Sequence, residues 1–308
     1  MKRKVNQIGP ATLMVSLPSK WVKQHNIKKG DEIDVEERSG NLIIGGEGSE
    51  PLNKTVINLR DIPDIENASD HFYWMLFSNA YKRGYDEIEV IFPDVNVAPR
   101  VQAAISNLLG YEMFDQTSKR CIIRSLANER EEEFERMVRK SFLLTKQAAE
   151  LCYNDLNKGK LDNMDNIINI KKNVQKVTDF CRRLINKKIY KNSEIAQYYY
   201  VILMRIILIT NRFSYIHRYL DRSKKKVSKG VIEFFGKVRE LLELFYETYY
   251  KKKIDNIEKI DRTRIKLIKK AEEFFSSKNS ADIAVTEHLS EVIRLIGGNS
   301  SLLMGIIL

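Results

Sequence analysis

Apolar and polar positions change their spacing twice along the chain, which divides it into three regions. Over residues 1–50 the apolar residues come in short clusters between turn residues. Val5-Asn6-Gln7-Ile8 runs into Gly9-Pro10, and Leu13-Met14-Val15-Ser16-Leu17 reads as a compact strand. Pro18 suits a first helical turn, so Ser19–His25 is read as one short helix with Trp21 and Val22 inward. Lys29-Gly30-Asp31 is a turn whose glycine allows positive φ. Glu32–Glu37 sets Ile33 and Val35 between acids, and Ser39-Gly40 turns into Leu42-Ile43-Ile44. Leu13, Val15, Leu17, Trp21 and Ile33 alternate with polar positions, so they are expected in a core rather than stacked on bases. A unit of about 45 residues with so few core side chains buries too little area to fold alone, since domains of ~60 residues are already marginal. It is expected to borrow strands from a second copy, giving a homodimer through residues 1–50, with a higher oligomer left open.

Residues 51–126 read as a mixed α/β connecting segment. Lys54–Leu59 is strand-like, and Asn67–Arg83 has helical spacing up to the Gly84 stop. Asp86–Phe92 is a strand, Ala98–Leu109 a helix ended by Gly110, and Tyr111–Asp115 and Arg120–Ser125 two further strands. From residue 127 onward the pattern is helical, with breaks at Asn157–Gly159, Tyr190–Ser193, Ser223–Gly230, Lys253–Asn256 and Ser276–Ser280. Six long helices with short loops predict antiparallel packing in two successive three-helix bundles, 127–222 and 226–308. Tyr198-Tyr199-Tyr200 and the Phe245–Tyr250 stretch are expected in the bundle core and its rim, with a partner surface as the alternative. The fold class is therefore α+β: a small β-rich head, an α/β middle and an all-α body.

Charge sharpens this picture. The 308 residues carry a net charge of +11 with a pI near 9.3, which favours polyanionic partners. The distribution matters more than the total: Lys2, Arg3, Lys4, Lys20, Lys23, Lys28 and Lys29 precede the first acid, Asp31. Cys121, Cys152 and Cys181 are odd in number and widely spaced, which argues against a disulfide framework or zinc finger and fits a reducing cytoplasm. No signal-peptide segment opens the chain, and its greasiest runs fall short of the ~20 apolar residues of a membrane span, so no membrane insertion is expected. His25, His71, His217 and His288 do not sit at catalytic or metal-ligand spacing, and neither a phosphate-binding glycine loop nor a nucleophile elbow is present. Glu131-Glu132-Glu133 reads as a solvated helix start rather than a carboxylate pair. These features exclude an enzyme, and no cofactor is implied.

The run from Val5 to Trp21, read V-N-Q-I-G-P-A-T-L-M-V-S-L-P-S-K-W, followed by Ile27-Lys28-Lys29-Gly30-Asp31-Glu32-Ile33, strongly resembles the AbrB/MazE/SpoVT swapped-hairpin family. Its S-L-P-x-x-W version resembles archaeal proteins that join this head to a PhoU-type helical body. Ala80-Tyr81-Lys82-Arg83-Gly84-Tyr85-Asp86-Glu87-Ile88 and Leu109-Gly110-Tyr111-Glu112 are similar to that fusion as well. The resemblance implies a dimeric β-barrel head that binds double-stranded DNA and a body tied to control of phosphate uptake. PhoU-type bundles carry acidic E-x-x-x-D motifs for metal clusters. Here Asn211-Arg212-Phe213-Ser214-Tyr215 stands at one such position, and Ile170–Arg183 offers Lys171, Lys172, Asn173, Gln175 and Lys176 at the other. With Asn211 and Tyr215 in place of acids, no metal site is expected.

The candidate DNA-binding residues are Lys2, Arg3, Lys4, Lys20 and Lys23, which can neutralise phosphates and release counterions. Arg3 is the best base reader among them, because its planar fork matches guanine. The basic clusters Arg182-Arg183, Lys187-Lys188, Lys224–Lys226 and Lys251–Lys253 have two readings: solvated helix ends, or further DNA contact and anion sensing. The functional reading is a transcription regulator whose body senses a signal or docks a protein partner. The alternative is a protein-interaction adaptor, either transporter-linked or antitoxin-like, without specific DNA binding.

Overall fold

A computed structural model describes residues 2–38, 41–46, 52–127, 129–190 and 192–308. The Ser39-Gly40 turn lies outside the described residues. The chain forms two compact units, residues 1–54 and 55–308.

The first unit holds two hairpins and a short helix. β1 (Val5–Gly9) pairs antiparallel with β2 (Thr12–Val15), Val5 opposite Val15 and Gln7 opposite Leu13. α1 (Ser19–Gln24) follows Pro18, whose φ of −65° suits the position before the first turn. The chain then turns at Lys28–Asp31, where Gly30 has φ +98° and the Asp31 carboxylate accepts the Lys28 N–H at 2.7 Å. β3 (Ile33–Arg38) and β4 (Asn41–Gly46) form the second hairpin, with Val35 opposite Ile44. The expected core positions are not buried within one chain. Leu13 is 69% exposed and Val15 45%, while Leu17, Trp21 and Ile33 are half-buried. None of the described residues of this unit is buried. The cause is geometric: a two-stranded hairpin has two faces and too few residues to cover either.

The second unit opens with a four-stranded sheet in the order β5 (Lys54–Asn58), β6 (Glu87–Ile91), β8 (Arg120–Ser125), β7 (Tyr111–Phe114). β8 runs antiparallel to both β6 and β7. Period-two alternation buries Ile88, Val90, Cys121 and Ile123. On the other face, Arg124 pairs with Glu87 at 2.8 Å and Arg120 with Glu89 at 2.6 Å. α2 (Asp70–Arg83) begins later than the expected Asn67, because the Ser69 side chain caps it by accepting the Phe72 N–H at 3.2 Å. α3 (Ala98–Ile105) stops short of the expected Leu109. At Gly110 (φ +78°) the chain passes the Ala127 backbone so closely that a Cβ would lie 2.7 Å from its nitrogen.

Six helices complete the unit: α4 (Glu131–Lys158), α5 (Met164–Asn186), α6 (Ser193–Ser223), α7 (Lys229–Lys251), α8 (Ile254–Phe275) and α9 (Ser280–Ile307). α4, α5 and α6 pack on one another, as do α7, α8 and α9, and the two groups join where α6 meets α9 and α4 meets α7. The α4 stripe of Phe134, Val138, Phe142, Ala149, Cys152 and Leu156 is buried, and the acidic Glu131–Glu133 start occupies its first turn. Phe142 packs on Phe245 and Tyr249 with ring centres 5.2 and 4.8 Å apart. Tyr199 and Tyr249 are core, while Tyr198 and Tyr250 are rim, as the aromatic spacing predicts. The three cysteines are free and buried. No helix of the described residues is long and apolar enough to cross a membrane.

Candidate functional site

The head presents the predicted cations without covering them. Lys2, Arg3 and Lys4 lie in extended chain before β1, and Lys20 and Lys23 are one turn apart on α1; all five are exposed. Register decides how they relate. Because Val5 pairs with Val15, the chain segments before β1 and after β2 leave the hairpin at the same end. The Lys2–Lys4 segment and the lead into α1 therefore issue from one end of the β1–β2 hairpin. On α1, Trp21 and Val22 are half-buried and the lysines point away from them. Lys28 and Lys29 add exposed cations before Asp31. A surface of this kind can hold a polyanion through point charges, with Arg3 alone supplying a planar fork.

In the second unit the basic runs separate into two environments. Lys224–Lys226 and Lys251–Lys253 follow or end α6 and α7, as expected of cations at the negative end of a helix dipole. Arg182-Arg183 departs from the helix-end reading. Arg183 is fully buried and joins the α/β layer to the bundle: its guanidinium donates to Glu129 Oε1 at 2.6 Å, Asp86 Oδ1 at 2.6 Å, the Tyr85 carbonyl at 2.7 Å and the Tyr81 carbonyl at 2.9 Å. Its charge lies 5.0 Å from the Tyr81 ring centre and 5.5 Å from that of Tyr111. Lys187 reaches the same two acids at 2.5 and 2.6 Å, so two cations face two carboxylates. Burial pushes the Tyr81 and Tyr111 hydroxyls up, partly opposed by the nearby Arg183 charge. Gly84 permits this closure: it has φ +95°, and a Cβ there would lie 2.6 Å from Lys187 Cγ. The segment Ala80–Ile88, picked out in the sequence by resemblance, is thus the anchoring strip of the α/β layer.

Sequence spacing gave no sign of a second buried pair. His217 Nε2 lies 3.0 Å from Asp155 Oδ2, and its Nδ1 lies 3.2 Å from the Phe213 carbonyl. Asp155 also accepts the Asn163 backbone N–H at 2.8 Å and its side-chain amide at 2.7 Å. Burial works to raise the Asp155 pKa, but the hydrogen bonds from His217 and Asn163 outweigh it and hold the carboxyl below its usual range. Asp155 forms part of the wall of a cleft of about 560 Å³ that is also lined by Lys158, Lys224, Lys225, Lys226 and Lys229.

The positions that the sequence sets against an acidic metal motif lie on α5 and α6, and their chemistry does not fit a divalent cation. Tyr215 has Arg212 and Lys171 beside its ring, at 5.7 and 5.8 Å from the centre. Among the described residues no three of His, Cys, Asp and Glu come together in a group able to hold a metal ion. Guanidinium and ammonium groups repel a cation rather than ligate it.

Against known proteins, residues 7–54 match the family model described as antidote-toxin recognition MazE, bacterial antitoxin. Among solved structures, the phosphate transport system regulatory protein PhoU from Streptococcus pneumoniae aligns with 56% of this chain and 92% of that chain, at 12% identity and a TM-score of 0.45. No curated protein sequence matches the chain.

Proposed function

We propose that the chain is a DNA-binding transcriptional regulator, working in the cytoplasm as a dimer through residues 1–50, with the helical body as its sensor or partner-docking module. One observation carries this reading: seven exposed cations precede the first acid, in a unit whose family match lies at residues 7–54. Lys2, Lys4, Lys20 and Lys23 hold backbone phosphates, and Arg3 reads a base edge. The exposed apolar faces of both hairpins support dimerisation, because a second copy can bury Val5, Leu13, Val15 and Val35 together. A link between the body and phosphate supply rests on the sequence resemblance alone.

The test is a salt titration of binding to random and genomic duplex DNA, comparing the full chain with a Lys2→Ala, Arg3→Ala, Lys4→Ala variant. The expected result is salt-sensitive binding that selects genomic fragments, with the variant losing roughly one unit of log–log salt slope per phosphate contact removed. Binding that is absent, or unchanged in the variant, overturns the proposal. It would favour the second reading, a protein-interaction adaptor, which draws on the antidote-toxin recognition named in the family match and on the exposed strand faces.

A further inference from the structure

Asn211, Tyr215, Arg218 and Arg222 follow one another along α6 at steps of four, three and four, which puts them on one helix face. Tyr215, Arg218 and Arg222 line a cleft of about 620 Å³, together with Met164 of α5 and His288 of α9. The Tyr215 and His288 ring centres are 5.9 Å apart, and Arg212 and Lys171 lie 5.7 and 5.8 Å from the centre of the Tyr215 ring. Charge here is not balanced. Among the described residues Lys171, Arg212, Arg218 and Arg222 have no carboxylate within 4.0 Å. Asp221 also lines the cleft, but it is paired with Lys224 at 2.7 Å. Glu287 acts on His288 only in opposition to Arg212 and to burial.

Two independent signs show that this cluster is under electrostatic tension. Burial, then the like charges of Arg218 and Lys172, hold the Lys171 ammonium below its ordinary range. Arg212 Nε is a buried donor without a protein acceptor, and His288 Nδ1 is buried and equally unpartnered. An anion held by Arg218 and Arg222 would offset the surplus positive charge around Tyr215. The lysine cleft at the ends of α4 and α6 differs in its pairing. Lys224 is paired with Asp221 at 2.7 Å and Lys229 lies 4.0 Å from Glu233, so two of its cations already have carboxylate partners.

We propose that the α5–α6–α9 cleft binds a small, multiply charged phosphate anion, with Arg218 and Arg222 as its main ligands and Tyr215 as its floor. Guanidinium forks match phosphate oxygens two at a time, and a concave space of this size admits a small molecule rather than a duplex. The site is independent of the DNA reading of the head.

Titration calorimetry of the full chain with inorganic pyrophosphate, at constant ionic strength, tests it. The expected result is one pyrophosphate per chain. Arg218→Ala with Arg222→Ala should weaken it about 100-fold, given roughly tenfold per charged hydrogen-bonded contact. Lys225→Ala with Lys226→Ala, in the other cleft, should leave affinity unchanged, and melting curves of each variant without ligand check that it folds. Adenosine diphosphate in a parallel titration assigns the source: tighter binding than pyrophosphate points to a phosphate ester, weaker binding to an inorganic phosphate chain. No binding at about 1 mM pyrophosphate overturns the proposal. So does equal loss in the lysine variant, no loss in the arginine variant, or displacement of pyrophosphate by a short DNA duplex.

Discussion

The unit of residues 1–54 and the unit of residues 55–308 carry charged side chains in similar proportion, but the first is poorer in apolar ones, and the two units treat them in opposite ways. In the first, none of the described residues is buried, and valines and leucines on both hairpins face outward beside the lysines. In the second, a continuous core runs through sheet and helices, and even the Arg183 guanidinium is withdrawn from water because four oxygen acceptors meet it. The difference shows what burial requires. A long helix can present a whole face to several neighbours, whereas a six-residue strand in a two-stranded hairpin has a single paired edge and two open faces. The body closes a core within one chain, and the described residues of the head do not.

Four changes would break or sharpen that contrast. The largest effect is expected from Leu13→Asp with Val15→Asp. Each apolar side chain buried between copies contributes about 1.5–3 kcal/mol, and two copies double the loss. Sedimentation should show the dimer dissociating, while the melting of the helical body stays where it was. A dimer that survives the change would mean that the head does not complete its core with a second copy.

Next in size is Arg183→Ala, which takes the guanidinium from the half-buried carboxylates of Asp86 and Glu129 and leaves Lys187 as the cation beside them. Urea unfolding of the body should lose about 3–5 kcal/mol. A loss within the range of a surface pair would show the network to be solvated. Gly84→Ala follows at about 1–2 kcal/mol, because it forces a side chain into φ +95° against Lys187. Denaturation of that single variant measures it.

The smallest effect is a pH dependence. The Asp155 carboxyl is held below its ordinary pKa in the folded chain, so its stabilisation is fully present above the unfolded value of about 3.9 and is lost as pH falls through the folded value. Asp155→Asn should flatten the acid limb of the body's stability curve and leave the limb above neutrality alone. An unaltered acid limb would remove Asp155 from the account.

Much of this architecture was legible in the chain. The break residues at Gly159, Ser193, Ser223 and Ser280 stand close to the helix ends, since glycine in the left-handed region and polar caps act within a few residues. The period-two patterns of Glu87–Ile91 and Arg120–Ser125 likewise announced their inward faces. Two readings share one limit. Leu13 and Val15 alternate as core residues do, but alternation states only that one face is apolar, not that anything in the same chain covers it. Arg182-Arg183 near a helix end read as solvated, because nothing local reveals that Asp86 and Glu129 arrive from 97 and 54 residues away.

The sequence by itself determined the elements, their order, the acid-free basic start and the absence of carboxylates at Asn211 and Tyr215, all of which follow from local spacing and residue chemistry. Only the tertiary structure decided that Arg183 is a buried tie, that His217 meets Asp155 across 62 residues, and that Lys171 of α5 and His288 of α9 come beside Tyr215 of α6. The physical reason is that charge acts through distance in space. Three helices remote in sequence had to pack before a lysine of α5 and a histidine of α9 could meet one tyrosine of α6.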